Sequence, residues 1–361
     1  MLLGNTLRGR NNNFDLIRFF AALLVIFAHA FPISLGSENK EPLMIISGGQ
    51  ADFGDLAVFV FFITSGFLIT MSYDKSKSLL SYANGRVLRI FPALIAVVFI
   101  SVFLLGPIVT TYSTNQYFND AETYGYLSYI FLYPILGSEF LPGVFTDSPY
   151  PNTINSSLWT LKYEVICYII IAILGKLGLL KQKILIPILI ISVVFVSFSP
   201  PLPLFILWIP TLFNYFAIGA LFYLNRNKIV LSGKIAFVSL LLLIVSVFWG
   251  QLKLVFLIFG AYLVFYIAFS SKIKFHRFGK FGDFSYGLYL YAFPIQQTII
   301  WLFGKGMNPY LNFLISFPVT FILSIMSWYL IEKPSLNLKS KLNRSLNISS
   351  SHNKINNQKS Y

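Results

Sequence analysis

Arg18 and His29 stand at the two ends of an otherwise apolar stretch, RFFAALLVIFAH. An ionisable side chain in hydrocarbon costs several kcal/mol unless it faces a protein interior or a wet cavity, so both residues are functional candidates. Eleven residues of α-helix rise about 16 Å and complete almost three turns, so both side chains share one face. The spacing predicts one wall of a cavity, with the guanidinium near one end of it and the imidazole about 16 Å further along. In the structural alternative, Arg18 reaches the membrane surface or pairs with Asp15, and His29 bonds a carbonyl.

Glu164, in SLWTLKYEVICY, is the only acidic residue well inside a later apolar segment. Counted from the start of that segment near residue 157, Glu164 lies about 10 Å deep, close to the depth predicted for His29. A carboxylate beside an imidazole could fix its tautomer and raise its basicity. Spacing alone does not show whether the two helices are neighbours.

Arg86 and Arg89, in NGRVLRIFP, lie three residues apart, on neighbouring positions of a predicted helix. Guanidinium groups bind phosphate bidentately and remain charged, so the pair could hold a phosphorylated ligand. Plain anchoring at the cytoplasmic surface is the alternative.

Thr64, Ser65 and Gly66 interrupt the apolar segment VFFITSGFLIT near its middle. Small residues at such a place indicate either close helix packing or the lining of a pocket. Metal-ligand spacings, a nucleophile elbow, a phosphate-binding glycine loop and a dinucleotide fingerprint are all missing from the sequence, so no metal site is predicted.

The elements that must position these residues are transmembrane helices. The chain has 361 residues, of which 56% are hydrophobic and 11% charged, and its mean hydropathy of +0.72 excludes a soluble globular protein. The sequence predicts an all-α integral membrane protein with spans at 14–34, 55–73, 87–108, 157–175, 184–199, 203–224, 234–249, 252–270, 284–304 and 310–331. Segment 124–137 is too short to span, and we expect it to lie along or dip into the interface.

The basic residues set the predicted orientation. With both termini in the cytoplasm, the outer segments contain only Lys40, Lys253 and Lys305, while the inner segments hold almost all remaining Lys and Arg. The net charge of +14 is therefore mainly a topological signal. It could also hold anionic lipid or a phosphorylated cofactor, whereas charges dispersed over loops make nucleic acid a poor partner.

The domain organisation follows from these spans. We predict a cytoplasmic N-terminal segment at 1–13, one membrane domain at 14–334 and a disordered cytoplasmic tail at 335–361. The outer segment 110–156 is expected to form a vestibule. A signal peptide cleaved after residue 30 is an alternative interpretation of the first apolar segment.

Taken together, these segments resemble the membrane-bound acyltransferase 3 family of bacterial O-acyltransferases. The resemblance is fairly specific because its motifs occur in family order over nearly the whole chain. They are Phe14-Asp15-Leu16, Arg18 with His29, Phe61-Phe62-x-x-Ser65-Gly66-Phe67, Arg86-x-x-Arg89-x-x-Pro92, Leu158-Trp159-x-Leu161-x-x-Glu164, Ser285-Tyr286 with Tyr289-Leu290, and Glu332-Lys333-Pro334. The sequence departs from the family at 291–294, YAFP, where many members carry a histidine.

The resemblance implies that a cytoplasmic acyl-CoA, usually acetyl-CoA, donates its acyl group to a hydroxyl of an extracytoplasmic or lipid-linked carbohydrate. Acyl-CoA would then be a co-substrate and not a permanently bound cofactor, and the bacterial cytoplasmic membrane would be the location. The resemblance also implies that His29 is essential and that Arg18, Arg86 and Arg89 serve the site or the CoA.

On this basis, we expect His29 to be a general base oriented by Glu164, or else a transient acyl acceptor. Arg18 is expected to stabilise the pantetheine path or the developing oxyanion.

We expect the donor-binding residues to be Arg86 and Arg89, which would hold the CoA phosphates, together with Ser65 and Gly66. Acceptor choice is expected in 35–54 and 110–156.

Two other functions fit some of the same residues. In a transporter or flippase for a glycolipid, Arg18, His29 and Glu164 would form a relay for protons or a polar headgroup. A non-enzymatic scaffold in a polysaccharide assembly complex is the third and weaker alternative.

Overall fold

The structure is a computed structural model that describes residues 1–7, 12–132, 140–200, 202–270 and 272–338. Within these residues the chain is helical, and two isolated bridges are the only β-type pairing. Two basic residues counted in the predicted orientation, Arg8 and Arg10, lie outside the described residues, as does the predicted tail beyond residue 338.

The described part of the chain contains ten long helices, and each overlaps one predicted apolar segment, although α3 begins eight residues before the predicted start at 87. They are α1 Phe14–Leu35, α2 Phe53–Lys75, α3 Leu79–Val109, α4 Ser156–Lys176, α5 Gln182–Phe198, α6 Leu204–Leu224, α7 Gly233–Trp249, α8 Leu252–Phe269, α9 Ser285–Phe303 and α10 Pro309–Leu338.

Within the described residues, seven of these helices are long and apolar enough to cross a membrane: α1, α2, α3, α4, α6, α8 and α10. Helices α5 and α7 are apolar but have 17 residues each, and α9 has 19. The all-α, multi-pass architecture is therefore confirmed. The count of ten crossings and the cytoplasmic position of both termini stay predictions.

The centre of the bundle is built around α1 and α2. Helix α2 packs against α6 and α1, and α1 also packs against α9 and α10. A Cβ atom at Gly66 would lie 1.9 Å from the carbonyl oxygen of Phe216, and one at Gly219 would lie 2.0 Å from that of Ile63. The backbones of α2 and α6 thus touch, and the packing interpretation is the one that the structure shows for Gly66.

The segment 150–160, which we call the inserted segment, includes the 3-10 turn Ser156–Thr160 that begins α4, and it enters the bundle together with that turn. The Asn155 amide donates to the carbonyl of Leu290 at 2.9 Å, and the Tyr289 hydroxyl donates to the carbonyl of Ser157 at 2.5 Å. These bonds hold the inserted segment against the middle of α9. Helix α4 therefore begins inside the bundle and not at its surface.

The predicted interfacial segment 124–137 is described only in part. Residues Tyr126–Phe131 form a 3-10 helix that ends at Leu132, whose φ is +66°, and residues 133–137 lie outside the described residues. The described half therefore ends in a left-handed residue after two short turns and does not run on as a long helix.

Candidate active site

A small cavity, which we call the inner cavity, lies where α1, α2, α4 and α9 meet. Its volume is about 40 Å³, and its polar lining includes Arg18, Glu164, Ser285 and Tyr289. Because α4 begins inside the bundle, Glu164 lies at the level of Arg18. The depth predicted for Glu164 from the sequence, close to that of His29, is therefore wrong, because that prediction assumed that α4 begins at the membrane surface.

Hydrogen bonds within the bundle fix the carboxylate of Glu164. Its Oε1 accepts from the Ser65 hydroxyl at 2.7 Å and from the Tyr168 hydroxyl at 2.5 Å. Ser65 therefore reaches the site from α2, and Tyr168 reaches it from the next turn of α4. Among the described residues, the hydrogen bonds of Glu164 do not include one to His29, so the expected carboxylate–imidazole pair is not formed in this structure.

His29 lies on the same helix as Arg18, nearer the other end of the bundle. Its ring meets the ring of Phe293 edge to face, with centroids 5.2 Å apart. Phe293 in turn contacts Tyr150 of the inserted segment, at 5.8 Å. The Nδ1 atom of His29 is buried and has no hydrogen-bond partner among the described residues. This nitrogen is therefore not used by the hydrogen-bonding of the fold.

Arg18 and Arg89 share one carboxylate, that of Asp283, just before α9. Arg18 Nη1 lies 3.1 Å from Asp283 Oδ2, and Arg89 Nη2 bonds the same oxygen. The Ser285 hydroxyl donates to Asp283 Oδ1 at 2.5 Å. Burial alone would raise the pKa of Asp283, but the charges of Arg89 and Arg18 outweigh it and hold this pKa well below its usual range.

Arg89 also reaches α10. Its Nη1 lies 3.6 Å from Glu332 Oε2, and its guanidinium faces the rings of Tyr286 and Trp328. A π-helical turn over Trp328–Glu332 shifts the register of α10 at this point. Arg89 is therefore held by two carboxylates and two aromatic rings.

Arg86 has a different environment from Arg89. Its guanidinium carbon lies 6.0 Å from the ring centroid of Tyr168, and its buried Nε has no hydrogen-bond partner among the described residues. It lines a groove of about 540 Å³ between α3 and α4, with Lys176 at one end. Of the two arginines, Arg86 is thus the one whose charge is not already neutralised by an acidic residue in the described part of the chain.

Sequence reasoning missed Asp283 as a site residue. Asp283 lies next to the Ser285-Tyr286 motif, but it precedes the predicted span 284–304 and so does not count as an intramembrane acid. Arg18, four residues into its own span, required a counter-charge at a similar depth, and this requirement could have pointed to an acid at the start of another span.

Comparison with known proteins gives one family match and two relatives. The model of a family described as Acyltransferase domain, of the acyltransferase 3 type, matches residues 11–332. An O-acetyl transferase of Shigella phage Sf6 is 31% identical over 340 residues, which are 90% of this chain and 96% of that protein. Nodulation protein 10 of Rhizobium leguminosarum bv. viciae is 34% identical over 177 residues, 46% of this chain and 44% of that protein. No solved structure matches the chain.

Proposed function

We propose, from the premise that this chain belongs to the acyltransferase 3 family, that it transfers an acetyl group from acetyl-CoA to a carbohydrate hydroxyl. The family membership confirms the resemblance drawn from the motifs. The O-acetyl transferase relative matches 90% of this chain, and this match supports O-acetylation as the reaction class. In this proposal the protein lies in the bacterial cytoplasmic membrane, with an extracytoplasmic or lipid-linked saccharide as acceptor.

The observation that carries the proposal is the pair of ionisable residues on one face of α1. Arg18 lines the inner cavity with Glu164. His29 lies about three turns away, and its buried Nδ1 has no hydrogen-bond partner in the described part of the chain. A donor from one end of the bundle and an acceptor from the other could meet along this wall. Such a site would let a cytoplasmic thioester react with a hydroxyl outside.

In the proposed reaction His29 acts as a general base. It takes the proton of the sugar hydroxyl while the hydroxyl oxygen attacks the thioester carbonyl carbon. The carbonyl oxygen gains the negative charge, the carbon–sulfur bond then breaks, and the proton passes from His29 to the departing CoA thiolate. Ester and free CoA are the products.

The CoA part of the donor is assigned to the groove lined by Arg86 and to the inner cavity. Arg86 is the better phosphate ligand of the inner pair, because Arg89 already binds Asp283 and Glu332. Glu164 is proposed to act at this end, where its carboxylate could accept a hydrogen bond from a pantetheine amide. Its earlier assignment, orienting His29, would require it to leave Ser65 and Tyr168.

The proposal is tested with purified protein in nanodiscs and radiolabelled acetyl-CoA. Label is followed into protein, water and a saccharide extract of the source cells. We expect His29→Ala to abolish transfer and to leave CoA binding within about twofold of wild type, since general-base catalysis contributes about 10²–10⁴ in rate.

His276→Ala is the matched control, because His276 lies between α8 and α9, outside the site. It should leave transfer unchanged. Full activity in His29→Ala would remove His29 from the chemistry. Well-folded wild-type protein that neither binds CoA nor turns it over would favour the transporter interpretation instead.

A further inference from the structure

A second cavity lies at the end of the bundle opposite the Asp283 ion pairs. Its volume is about 210 Å³, and the inserted segment forms one wall. The side chains that matter here are Tyr129, Tyr150, Thr153, Asn155, Trp159 and Lys162. We call this the outer pocket, because the orientation predicted from Lys and Arg has this end of the bundle outside the cytoplasm.

The wall of the outer pocket is held in place by buried hydrogen bonds. The Gln297 amide of α9 donates to the carbonyls of Tyr150 and Thr153, at 2.7 and 2.9 Å. The amide of Asn155 is fixed on the carbonyl of Leu290 at 2.9 Å. The backbone of the inserted segment is therefore tied to α9, so this wall of the pocket is in place without a ligand.

The aromatic wall is equally constrained. The ring of Trp159 packs against the ring of Trp208 with centroids 4.8 Å apart, and against that of Tyr163 at 5.7 Å. A ring held in this way offers a flat apolar face at little cost in side-chain entropy.

The outer pocket is joined to His29 by a chain of ring contacts. Tyr150 lines the pocket and touches Phe293, and Phe293 touches His29. Phe293 follows Tyr289 by four residues on α9, and Tyr289 lines the inner cavity, so the two cavities lie along one face of this helix. A molecule seated against Tyr150 would therefore lie two ring contacts from the proposed base, so a longer glycan held there could extend toward His29.

We propose that the outer pocket binds the saccharide acceptor, as a subsite for one sugar ring of a longer glycan. This inference rests on the proposed function and names the place where its acceptor binds. A sugar ring presents an apolar C–H face and a rim of hydroxyls. Trp159, Tyr129 and Tyr150 match the face, and Thr153 and Lys162 match the rim.

Transfer kinetics on two pocket variants test the proposal. The probe is the saccharide extract of the source cells, titrated at saturating radiolabelled acetyl-CoA in nanodiscs. Thr153→Trp fills the pocket and Trp159→Ala removes its aromatic face. We expect each to raise the KM for saccharide about tenfold or more and to leave CoA binding near wild type. Thr153→Trp should also keep the thermal midpoint, whereas Trp159→Ala loses its packing on Trp208 and lowers that midpoint, so its KM is measured at a temperature where it is still folded.

Matched controls place the same substitutions away from the pocket. Thr6→Trp changes a half-buried threonine of the short N-terminal helix Leu3–Leu7, and Trp249→Ala changes a tryptophan that is 79% exposed at the end of α7. Both should transfer with the wild-type KM.

Each outcome decides one point. Wild-type KM in Thr153→Trp and Trp159→Ala would overturn the outer pocket as the acceptor site while leaving the proposed function intact. A lower kcat at unchanged KM would also overturn it, because the residues would then act on chemistry and not on acceptor binding. Wild-type protein that transfers nothing to any saccharide would overturn the proposed function and this inference with it.

Discussion

At the scale of single residues, the acidic partners distinguish arginines that the sequence treats alike. Arg18 and Arg89 converge on Asp283, and Arg89 also reaches Glu332, whereas Arg86 faces a groove and an aromatic ring. A buried charge that loses its partner is strongly destabilising, while an unpaired guanidinium beside a groove is available to an anionic ligand. Arg89 and Arg86 should therefore respond differently to the same substitution.

We predict that Arg89→Ala lowers the free energy of unfolding by about 3 kcal/mol or more, because it leaves Asp283 and Glu332 short of a counter-charge. Thermal unfolding in detergent measures this loss.

We predict that Arg86→Ala keeps its stability but weakens CoA binding about tenfold, which corresponds to the loss of one charged hydrogen bond. Titration of CoA measures the affinity, and Lys176→Ala, at the end of the same groove, is the comparison for loss of a cation. Unchanged CoA affinity in Arg86→Ala would show that Arg86 does not bind CoA and only anchors the helix at the membrane surface.

At the scale of elements, α2 and α6 pack backbone against backbone. Gly66 and Gly219 each lie against the backbone of the other helix, so a larger residue at either position would push the two helices apart. Ser65 on the adjacent position of α2 holds Glu164. The packing of α2 on α6 thus sets the position of the inner cavity.

We predict that Gly66→Ala destabilises the protein by about 1–3 kcal/mol, because the new Cβ would displace the carbonyl of Phe216 and force the helices apart. The thermal midpoint gives the measurement. Gly233→Ala is the control, since its Cβ would meet only the end of the Tyr266 side chain, at 3.1 Å. Equal midpoints for the two variants would contradict the close contact.

The start of α2 carries a pH-sensitive cap. Asp52 Oδ1 accepts from the backbone N–H of Asp55 at 2.6 Å, and Lys253 pairs with the Asp55 carboxylate at 3.0 Å. Burial, followed by the charges of Asp55 and Glu41, raises the pKa of Asp52 from 3.8 to about 7. The folded state therefore prefers the protonated carboxyl.

We predict that wild-type stability falls as the pH rises from about 4 to about 7, the window between the ordinary and the raised pKa of Asp52. Asp52→Asn keeps an amide oxygen for the cap but does not ionise, so it should lack this part of the pH dependence. Thermal midpoints of both proteins between pH 4 and 8 test this. Parallel curves would show that Asp52 does not titrate in this range.

At the scale of the whole molecule, the two ends of the bundle are closed in different ways. At one end, Asp283, just before α9, pairs with Arg18 of α1 and Arg89 of α3, and Arg89 also pairs with Glu332 of α10. At the other, the inserted segment is tied to α9 through Gln297 and Leu290. His29 lies between them on α1. In the proposed function, donor and acceptor approach this residue from opposite sides of the membrane.

The sequence by itself determined the local features of this protein. The ten helical segments follow from runs of apolar residues, and the shared face of Arg18 and His29 follows from the helical period. Both depend only on neighbouring residues in the chain. The family motifs belong to the same class, because their order and spacing are properties of the chain.

Only the tertiary structure decided which residues meet. Glu164 binds Ser65, which is 99 residues away, and Arg18 binds Asp283, which is 265 residues away. The depth of Glu164 depended on the inserted segment, which is held inside the bundle by its contacts with α9 and not by its own hydropathy. Periodicity fixes which face a side chain occupies on its own helix, but pairing between helices depends on how their surfaces pack, and no local pattern records that.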